Sequence, residues 1–312
     1  MTIEYWAAQS PVTDPGQLGA TAIVSLSSDT QDLRVASSQL IFHYRAGDFE
    51  KHNVPRDRES EIDNRTASVM FDLLLSRNPS LNANPRSPID QMVGCCRDAV
   101  VLFLSMARQK GIPARGRVGF ASYIVPGFYL DHVAAEVWDG TEKRWRLVDP
   151  EMPAQWKPII NGKAVDWMDL EPTEFYLAPQ VWTGLRNGAL AIDPEKFVVA
   201  PSVDLPTLRG WTQIAHNVVH DLAMLNKTEM LLWDSWDSLS FRTTQIGGLL
   251  PEKEALMIDR LCNLTVKVDD SELGLQKLQS IMHTEGITIP PVIESFNVLK
   301  GLPRLVDVSQ IL

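Results

Sequence analysis

The sequence predicts an α+β fold in which a buried helix packs against an antiparallel sheet. Residues 99–110 (AVVLFLSMARQK) form a largely apolar helical stretch. Gly111 and Pro113 end it, because glycine frees the backbone and proline cannot continue the hydrogen-bond ladder. Segments rich in β-branched and aromatic residues follow at 117–125, 132–138 and 144–148. Asp139-Gly140 between the last two is a hairpin signal, so the helix is followed by a meander of strands.

The segments on either side of this region have different patterns. Residues 1–40 are rich in Ser, Thr and Asp and contain Pro11, Pro15 and Gly16, so we expect loops and short strands there. Residues 67–75 predict an amphipathic helix, and the proline-rich residues 78–90 an ordered loop. Further helices are predicted around 215–225 and at 251–264 and 271–285, with an irregular tail from residue 289.

The chain is long enough for one large domain or two small ones, with 312 residues. We expect a core over residues 1–155 and a mainly helical C-terminal region over residues 156–312 packed on it. Residues 184–206 could mark a boundary, but their apolar content argues against a free linker. The two regions are therefore expected to form one continuous globule.

Composition and charge exclude several classes of protein. The chain is 45% hydrophobic and 22% charged, as in ordinary globular proteins, and its net charge is −10. Acidity of this size argues against nucleic-acid and anionic-membrane partners, which basic surfaces bind. The sequence has neither an apolar run of the ~18 residues that span a membrane nor a signal-peptide pattern. Three cysteines, two of them adjacent, fit a reducing compartment, so we expect a cytoplasmic protein.

Cys96 is the first candidate for chemistry, because it stands where the buried helix is expected to begin. Unsatisfied N–H groups and the positive end of the helix dipole favour a thiolate there. The same N–H groups can donate to the oxyanion that forms when a thiolate attacks a carbonyl. The alternative is that Cys95 and Cys96 are small buried hydrophobic residues.

His132 and Asp149 complete a pattern with Cys96. His132 opens a predicted strand after the helix, and by alternation it shares a sheet face with Ala134, Glu136 and Trp138. Asp149 ends the next strand, where a carboxylate could accept a hydrogen bond from the imidazole and fix its orientation. Taken singly, His132 could be structural and Asp149 a turn residue. Together the three predict a cysteine nucleophile with its base and orienting acid.

These residues carry a resemblance to a known family. The runs GCCRDAVVLFLSMARQKGIPARGRVGF and DHVAAEVWDGTEKRWRLVDPE resemble the core of the transglutaminase-like superfamily. Its members have a G-x-C-R-D helix start, a GIPAR helix exit, a histidine strand and an aspartate strand. LIFHYR near residue 42 and HDLAMLNKTEMLLWDSW from His220 further resemble a bacterial-type, largely uncharacterised branch. The resemblance implies a papain-like core with a Cys-His-Asp triad.

By that resemblance, Cys96 is the nucleophile, His132 the general base and acid, and Asp149 the orienting carboxylate. Helix periodicity does not separate the two cysteines; the register of the motif selects Cys96. Cys95 stands where relatives often carry a polar residue such as asparagine. It therefore offers no amide to an oxyanion, and a vicinal disulfide or a metal-sensitive thiol pair becomes conceivable.

Several weaker candidates lie near this pattern or elsewhere. Residues proposed to touch substrate are Cys95, Tyr123, Tyr129, Asp131 and Glu136. His216 and His220 have chelating spacing, but HNVVH lacks the glutamate of H-E-x-x-H and no third ligand is evident, so a structural or solvent-facing pair is expected. Cys262 lies in an apolar run and is predicted to be in the core. We expect no metal site, and no calcium in particular, since no acidic loop resembles a calcium site. We also expect no cofactor, since phosphate-binding and dinucleotide motifs are missing from the sequence.

The sequence thus predicts a thiol-dependent acyl-transfer enzyme that forms an acyl-enzyme on Cys96. Its substrate is expected to be a small or carrier-bound amide or thioester, and both hydrolysis and amide-bond formation fit the residues. One alternative is a non-catalytic binding or scaffold module on the same fold. Another is a Cys/His enzyme for a cyclisation or proton-transfer step in a biosynthetic pathway.

Overall fold

The computed structural model of the chain describes residues 2–203, 205–236, 250–297 and 302–312. Its α-helices are α1 (Gly16–Val24), α2 (Thr30–Ser38), α3 (Ala67–Arg77), α4 (Cys96–Gln109), α5 (Ala178–Arg186), α6 (Gly210–Leu225), α7 (Glu252–Thr265) and α8 (Glu272–Thr284). Its strands are β1 (Ile41–His43), β2 (Met92–Gly94), β3 (Ala114–Ala121), β4 (Tyr129–Asp139), β5 (Arg144–Val148), β6 (Ile159–Ile160), β7 (Lys163–Ala164), β8 (Phe175–Leu177), β9 (Phe197–Val198), β10 (Asp234–Ser235), β11 (Val292–Asn297) and β12 (Leu302–Asp307). Short 3₁₀ helices connect some of these elements. None of the helices in these ranges is long and apolar enough to cross a membrane.

The central sheet has the order β5-β4-β3-β8, with antiparallel pairing throughout, and β9 adds to β4 in parallel. The sequence places β-branched and aromatic residues on its longest strands, where they pack well on a pleated surface. The predicted antiparallel meander is therefore confirmed. Strands β8 and β9 come from beyond residue 170, so both parts of the chain build this sheet, and a boundary at residue 155 stays a prediction.

Helix α4 is the centre of the core. Every residue from Cys96 to Arg108 is buried, and the helix contacts β3 and β4 as well as α2 and α3. Helix α6 packs on β3 too, so that a side chain at Gly116 would meet Met224 of α6 and Leu104 of α4. The α+β prediction, a buried helix packed against an antiparallel sheet, is thus confirmed.

The N-terminal region differs from its prediction, because it contains α1 and α2 in place of loops and short strands. Pro15 and Gly16 stand at the start of α1, where the fixed φ of proline and the positive φ of Gly16 are compatible with a helix entry. Asp29 caps α2 by accepting hydrogen bonds from the N–H groups of Gln31 and Asp32. Residues that looked like helix breakers therefore begin helices.

The predicted irregular tail is also wrong for the residues that the structure describes. Strands β11 and β12 pair antiparallel, and β10 pairs with the other side of β11. Pro303 lies on β12, an edge strand of this small sheet, where proline is tolerated. Proline content therefore gave a false indication of irregular structure there.

Gly119 provides a test of how closely β3 and β8 approach. It pairs with His132 on one side and Leu177 on the other, and an added Cβ would lie 2.2 Å from the Tyr176 carbonyl oxygen. We expect Gly119→Ala to destabilise the protein by about 1–3 kcal/mol, because β8 must move to make room. Urea unfolding measures this loss. Gly140→Ala is the matched control, since nothing lies within 4 Å of its Cβ position. Equal stability of the two variants would contradict the close approach.

Candidate active site

The structure places Cys96 at the first residue of α4 and Cys95 at its N-cap. Both side chains are buried, with Cys96 5% exposed. The N–H of Cys95 donates to Asp98 Oδ2 at 2.9 Å, which fixes the entry of the chain into the helix. Cys96 is thus the first residue of the helix, as its position in the sequence predicts. The N–H of Asp98 donates to the Cys95 carbonyl at 3.0 Å, and the N–H of Arg97 donates to the Cys95 thiol.

Arg97 holds this helix start in place. Its side chain is completely buried, and its guanidinium donates to the backbone carbonyls of Arg65 and Glu229 and contacts the Asp98 carboxylate at 3.1 Å. Planar guanidinium groups suit such multiple contacts. The arginine after the nucleophile position therefore ties α4 to two distant segments of the chain.

His132 and Asp149 are in direct contact. The Nε2 atom of His132 lies 2.8 Å from Asp149 Oδ2, and both side chains are buried. Tyr123 donates its hydroxyl to the same Oδ2 atom at 2.5 Å, while Asp149 Oδ1 accepts from the N–H of Glu151 at 2.9 Å. A carboxylate held in this way accepts the Nε2 proton of His132. The other ring nitrogen of His132, Nδ1, is then available to exchange a proton with a neighbouring side chain.

Glu151 is a site residue that sequence analysis missed. One oxygen of Glu151, one ring nitrogen of His132 and the Sγ of Cys96 all lie within 4.8 Å of one another. Glu151 Oε2 is 3.8 Å from His132 Nδ1, whereas Oε1 is buried without a hydrogen-bond partner among the described residues. The only signal in the sequence is that Glu151 stands two residues after Asp149. These donor types could hold a metal ion.

His43 is a second residue brought to the site by the fold. Strand β1 pairs in parallel with β2, and this register places His43 opposite Gly94, just before the cysteine pair. The N–H groups of Arg45 and Ala46 donate to His43 Nδ1, so the ring proton is on Nε2, 3.8 Å from Glu151 Oε1. Burial and the charges of His132 and Arg45 lower the pKa of His43 to about 3, which keeps it neutral.

The electrostatics of Cys96 differ from the sequence-based expectation. Its hydrogen bond with Cys95, then burial and nearby carboxylates, raise the pKa of the Cys96 thiol well above its usual value. The expected resting thiolate is therefore wrong, because the Cys95 hydrogen bond and burial favour the neutral thiol. Burial opposes a charged His132, but Asp149 and other carboxylates raise its pKa. The arrangement thus favours a neutral thiol and stabilises the imidazolium that forms when His132 takes its proton.

The remaining predicted substrate contacts divide into two groups. Tyr123 is buried, and its ring packs edge-on against Trp167. Its hydroxyl donates to Asp149 and so helps to orient this carboxylate. Tyr129 is partly buried, and its ring stacks on Phe197 at 4.8 Å. Asp131 accepts a hydrogen bond from Asn217 at 2.8 Å, and its charge contributes to the raised pKa of His132. Contact of Cys95, Tyr123, Tyr129 or Asp131 with substrate stays a prediction.

Glu136 lies in a different cluster. It is four residues along β4 from His132, about 13 Å for an extended strand. Its carboxylate pairs with Arg115 at 2.5 Å and with Arg117 at 2.9 Å, and Arg117 also binds Asp221 of α6. The structure therefore gives Glu136 a role in joining β3 and β4 to α6.

This role predicts an effect of Glu136→Gln on stability. Burial opposes ionisation, but Arg115 and Arg117 outweigh it and lower the pKa of Glu136. The carboxylate thus stabilises the fold above its ordinary pKa of 4.5, and this stabilisation is lost as pH falls through its lower folded pKa. We expect Glu136→Gln to cost about 1.5–3 kcal/mol at pH 7 and to approach wild type in acid, with turnover per folded molecule unchanged. Unfolding curves at several pH values measure this, and a turnover defect at full stability would contradict it.

His216, His220 and Cys262 are buried residues that contribute to packing and to backbone contacts. His216 Nε2 lies 2.7 Å from the Leu232 carbonyl and His220 Nε2 lies 3.1 Å from the Asp234 carbonyl. Both histidines thus join α6 to the segment that follows it. Cys262 is 1% exposed within α7, as its apolar neighbours predict.

A cysteine at a helix start, with a histidine held by a carboxylate on neighbouring strands, defines a Cys-His-carboxylate site of the kind that acyl-transfer enzymes use. Residues 48–150 match the model of the transglutaminase-like superfamily. This segment is thus similar to that superfamily, whose members are usually enzymes with a Cys-His-Asp or Cys-His-Glu triad. The resemblance seen in the sequence is thereby confirmed. No curated protein and no solved structure matches the chain.

Proposed function

We propose that the protein is a cysteine-dependent acyl-transfer enzyme with Cys96 as nucleophile, His132 as base and acid, and Asp149 as orienting carboxylate. The observation that carries this proposal is the 2.8 Å contact between His132 and Asp149 within a cluster where the Cys96 sulfur is less than 4.8 Å from the imidazole. Hydrogen-bonded to Asp149 through Nε2, the ring offers Nδ1 to the thiol.

The chemical steps follow from this arrangement. His132 Nδ1 takes the thiol proton as the Cys96 sulfur attacks the substrate carbonyl carbon, and the N–H groups at the start of α4 donate to the oxyanion. The tetrahedral intermediate then collapses: the bond to the leaving amine or thiol breaks, and His132 returns the proton to that group. Water or an amine, deprotonated by His132, then attacks the thioester carbonyl carbon. The carbon–sulfur bond breaks, His132 returns the proton to the Cys96 sulfur, and the acid or amide product leaves.

The burial of the site supports a narrow class of substrates. Cys96 is 5% exposed and His132 2% exposed, so a flat protein surface does not reach the sulfur. A slender amide or thioester, either a small molecule or an acyl group on a flexible carrier, fits this access. We also propose a cytoplasmic location, since Cys96 must stay reduced for this chemistry and the cysteines are free.

The test is acylation of the full chain with p-nitrophenyl acetate and with a set of thioesters and primary amides, followed by intact-mass measurement. We expect one acyl adduct on wild type and on Cys262→Ala, whose sulfur is buried in α7, and no adduct on Cys96→Ala. Added hydroxylamine should release the acyl group as a hydroxamate. Release to water alone would identify a hydrolase.

Two results would overturn the proposal. One is equal acylation of Cys96→Ala and wild type; the other is the lack of an adduct with every donor class on a folded wild-type protein. Either would favour a non-catalytic binding module on the same fold.

A further inference from the structure

We propose that Cys96, His132 and Glu151 also form a binding site for a thiophilic divalent cation of the zinc type, and that the bound cation blocks the nucleophile. The sulfur, a ring nitrogen and a carboxylate oxygen of these residues lie within 4.8 Å of one another. This proposal departs from the expectation that the chain has no metal site, since Glu151 was not a candidate ligand. The inference concerns inhibition, and the proposed chemistry needs no metal.

The donor set suits zinc. Zinc is held by cysteine sulfur, histidine nitrogen and carboxylate oxygen, and three protein ligands leave one open position. A thiolate and a carboxylate would together balance the charge of a divalent cation. Tetrahedral bonds of ~2.0–2.3 Å place ligand atoms roughly 3.3–3.8 Å apart, so side-chain shifts of about 1 Å close the present spacing.

His132 is already oriented for coordination. Asp149 binds Nε2 at 2.8 Å and leaves Nδ1 on the side of Glu151, 3.8 Å from Oε2. A carboxylate on the far nitrogen of a ligating histidine is the usual support of zinc sites, because it fixes the tautomer and the ring plane. The hydroxyl of Tyr123 in turn fixes Asp149.

Glu151 gives the second, independent observation. Its Oε1 atom is buried without a hydrogen-bond partner among the described residues, and its side chain is 11% exposed. An unpaired buried carboxylate oxygen is costly. A cation between Glu151, Cys96 and His132 would satisfy this carboxylate, and the Nε2–H of His43, now at 3.8 Å, could then hold the second oxygen.

The same chemistry predicts selectivity. Calcium and magnesium prefer six or more oxygen ligands, which this sulfur- and nitrogen-containing cluster does not offer. Zinc and cobalt accept the mixed set in four-coordinate geometry. We therefore expect zinc and cobalt to bind and calcium and magnesium not to compete.

The experiment is a titration of the reduced full-length protein with Co²⁺ alone, followed by absorption. We expect one equivalent of Co²⁺ to produce a sulfur-to-cobalt charge-transfer band and the visible bands of four-coordinate cobalt. Added Zn²⁺ should displace the bound Co²⁺ and remove these bands. Cys96→Ser should remove the charge-transfer band, and Glu151→Gln and Asp149→Asn should weaken binding by about 10–100-fold. Cys262→Ala is the control and should bind as wild type does. In wild type, Zn²⁺ should protect Cys96 from iodoacetamide.

Several outcomes would overturn the inference. A charge-transfer band that persists in folded Cys96→Ser, or binding that Glu151→Gln leaves unchanged, would exclude the three-residue site. Loss of the band in Cys95→Ala with no effect of Glu151→Gln would instead assign the cation to the vicinal thiols. Cobalt absorption does not depend on turnover. The titration can therefore contradict the metal site without contradicting the proposed acylation of Cys96, and the acylation assay can give the opposite result.

Discussion

Replacing Asp149 with asparagine is expected to lower the kcat of acyl transfer by about 10²–10⁴-fold, with little change in KM. In wild type, Asp149 Oδ2 accepts the Nε2 proton of His132 at 2.8 Å. The asparagine oxygen would keep the hydrogen bonds from the N–H groups of Glu151 and Met152, so its amide NH₂ would face His132. The imidazole would then carry its proton on Nδ1 and could not take one from Cys96.

The measurement is steady-state turnover of the donor that acylates wild type fastest. Asp139→Asn is the matched control, because Asp139 is the last residue of β4 and accepts hydrogen bonds from the N–H groups of Thr141 and Glu142 in the turn that follows. Tyr123→Phe should give a smaller loss, since it removes one hydrogen bond and leaves the charge of Asp149. Turnover of Asp149→Asn within a few fold of Asp139→Asn would show that Asp149 does not orient the base.

Replacing Arg117 with methionine is expected to destabilise the protein by about 3–5 kcal/mol. Arg117 is 1% exposed, and it pairs with Asp221 at 2.9 Å and with Glu136 at 2.9 Å. Methionine fills a similar volume but leaves Asp221 buried in the core without its cation. Such a loss is a large part of the ~5–15 kcal/mol that stabilises a typical domain.

Urea unfolding of paired variants separates charge from packing. Arg144→Met is the control, because Arg144 forms ion pairs with Glu142 and Asp169 but is 43% exposed, and exposed pairs contribute about 0–1 kcal/mol. Arg117→Met combined with Asp221→Leu should recover part of the loss, since no buried charge at position 221 then remains. Equal effects of Arg117→Met and Arg144→Met would contradict the role given to the buried cluster.

The elements that the sequence predicts well are those specified by local pattern. Helix α4 has an apolar run followed by a clear stop signal at Gly111, and turn residues separate the strands β3, β4 and β5. The order of these elements is what predicts that Cys96, His132 and Asp149 come together. The N-terminal helices were missed, because proline and aspartate are common both at helix starts and in loops, and local composition does not distinguish the two.

The parts of the site that sequence analysis missed depend on contacts between distant segments. His43 reaches the cysteine pair only through the parallel pairing of β1 with β2, which no local pattern indicates. Glu151 follows a proline in a turn, and its proximity to Cys96 arises from the path of the chain after β5. The raised pKa of Cys96 comes first from the adjacent Cys95 and from burial, and only the smaller contributions of Glu151 and Asp131 come from distant segments.

The central sheet draws strands from both parts of the chain, and this affects how the protein can be divided. The segment that matches the superfamily ends at residue 150, but β8 covers one edge of β3, β9 pairs with β4, and α6 covers part of β3. A fragment that stops there would present an uncovered strand edge and an apolar surface to water, which favours association between copies. We therefore expect the smallest part of this chain that folds by itself to be larger than the segment that matches the superfamily model.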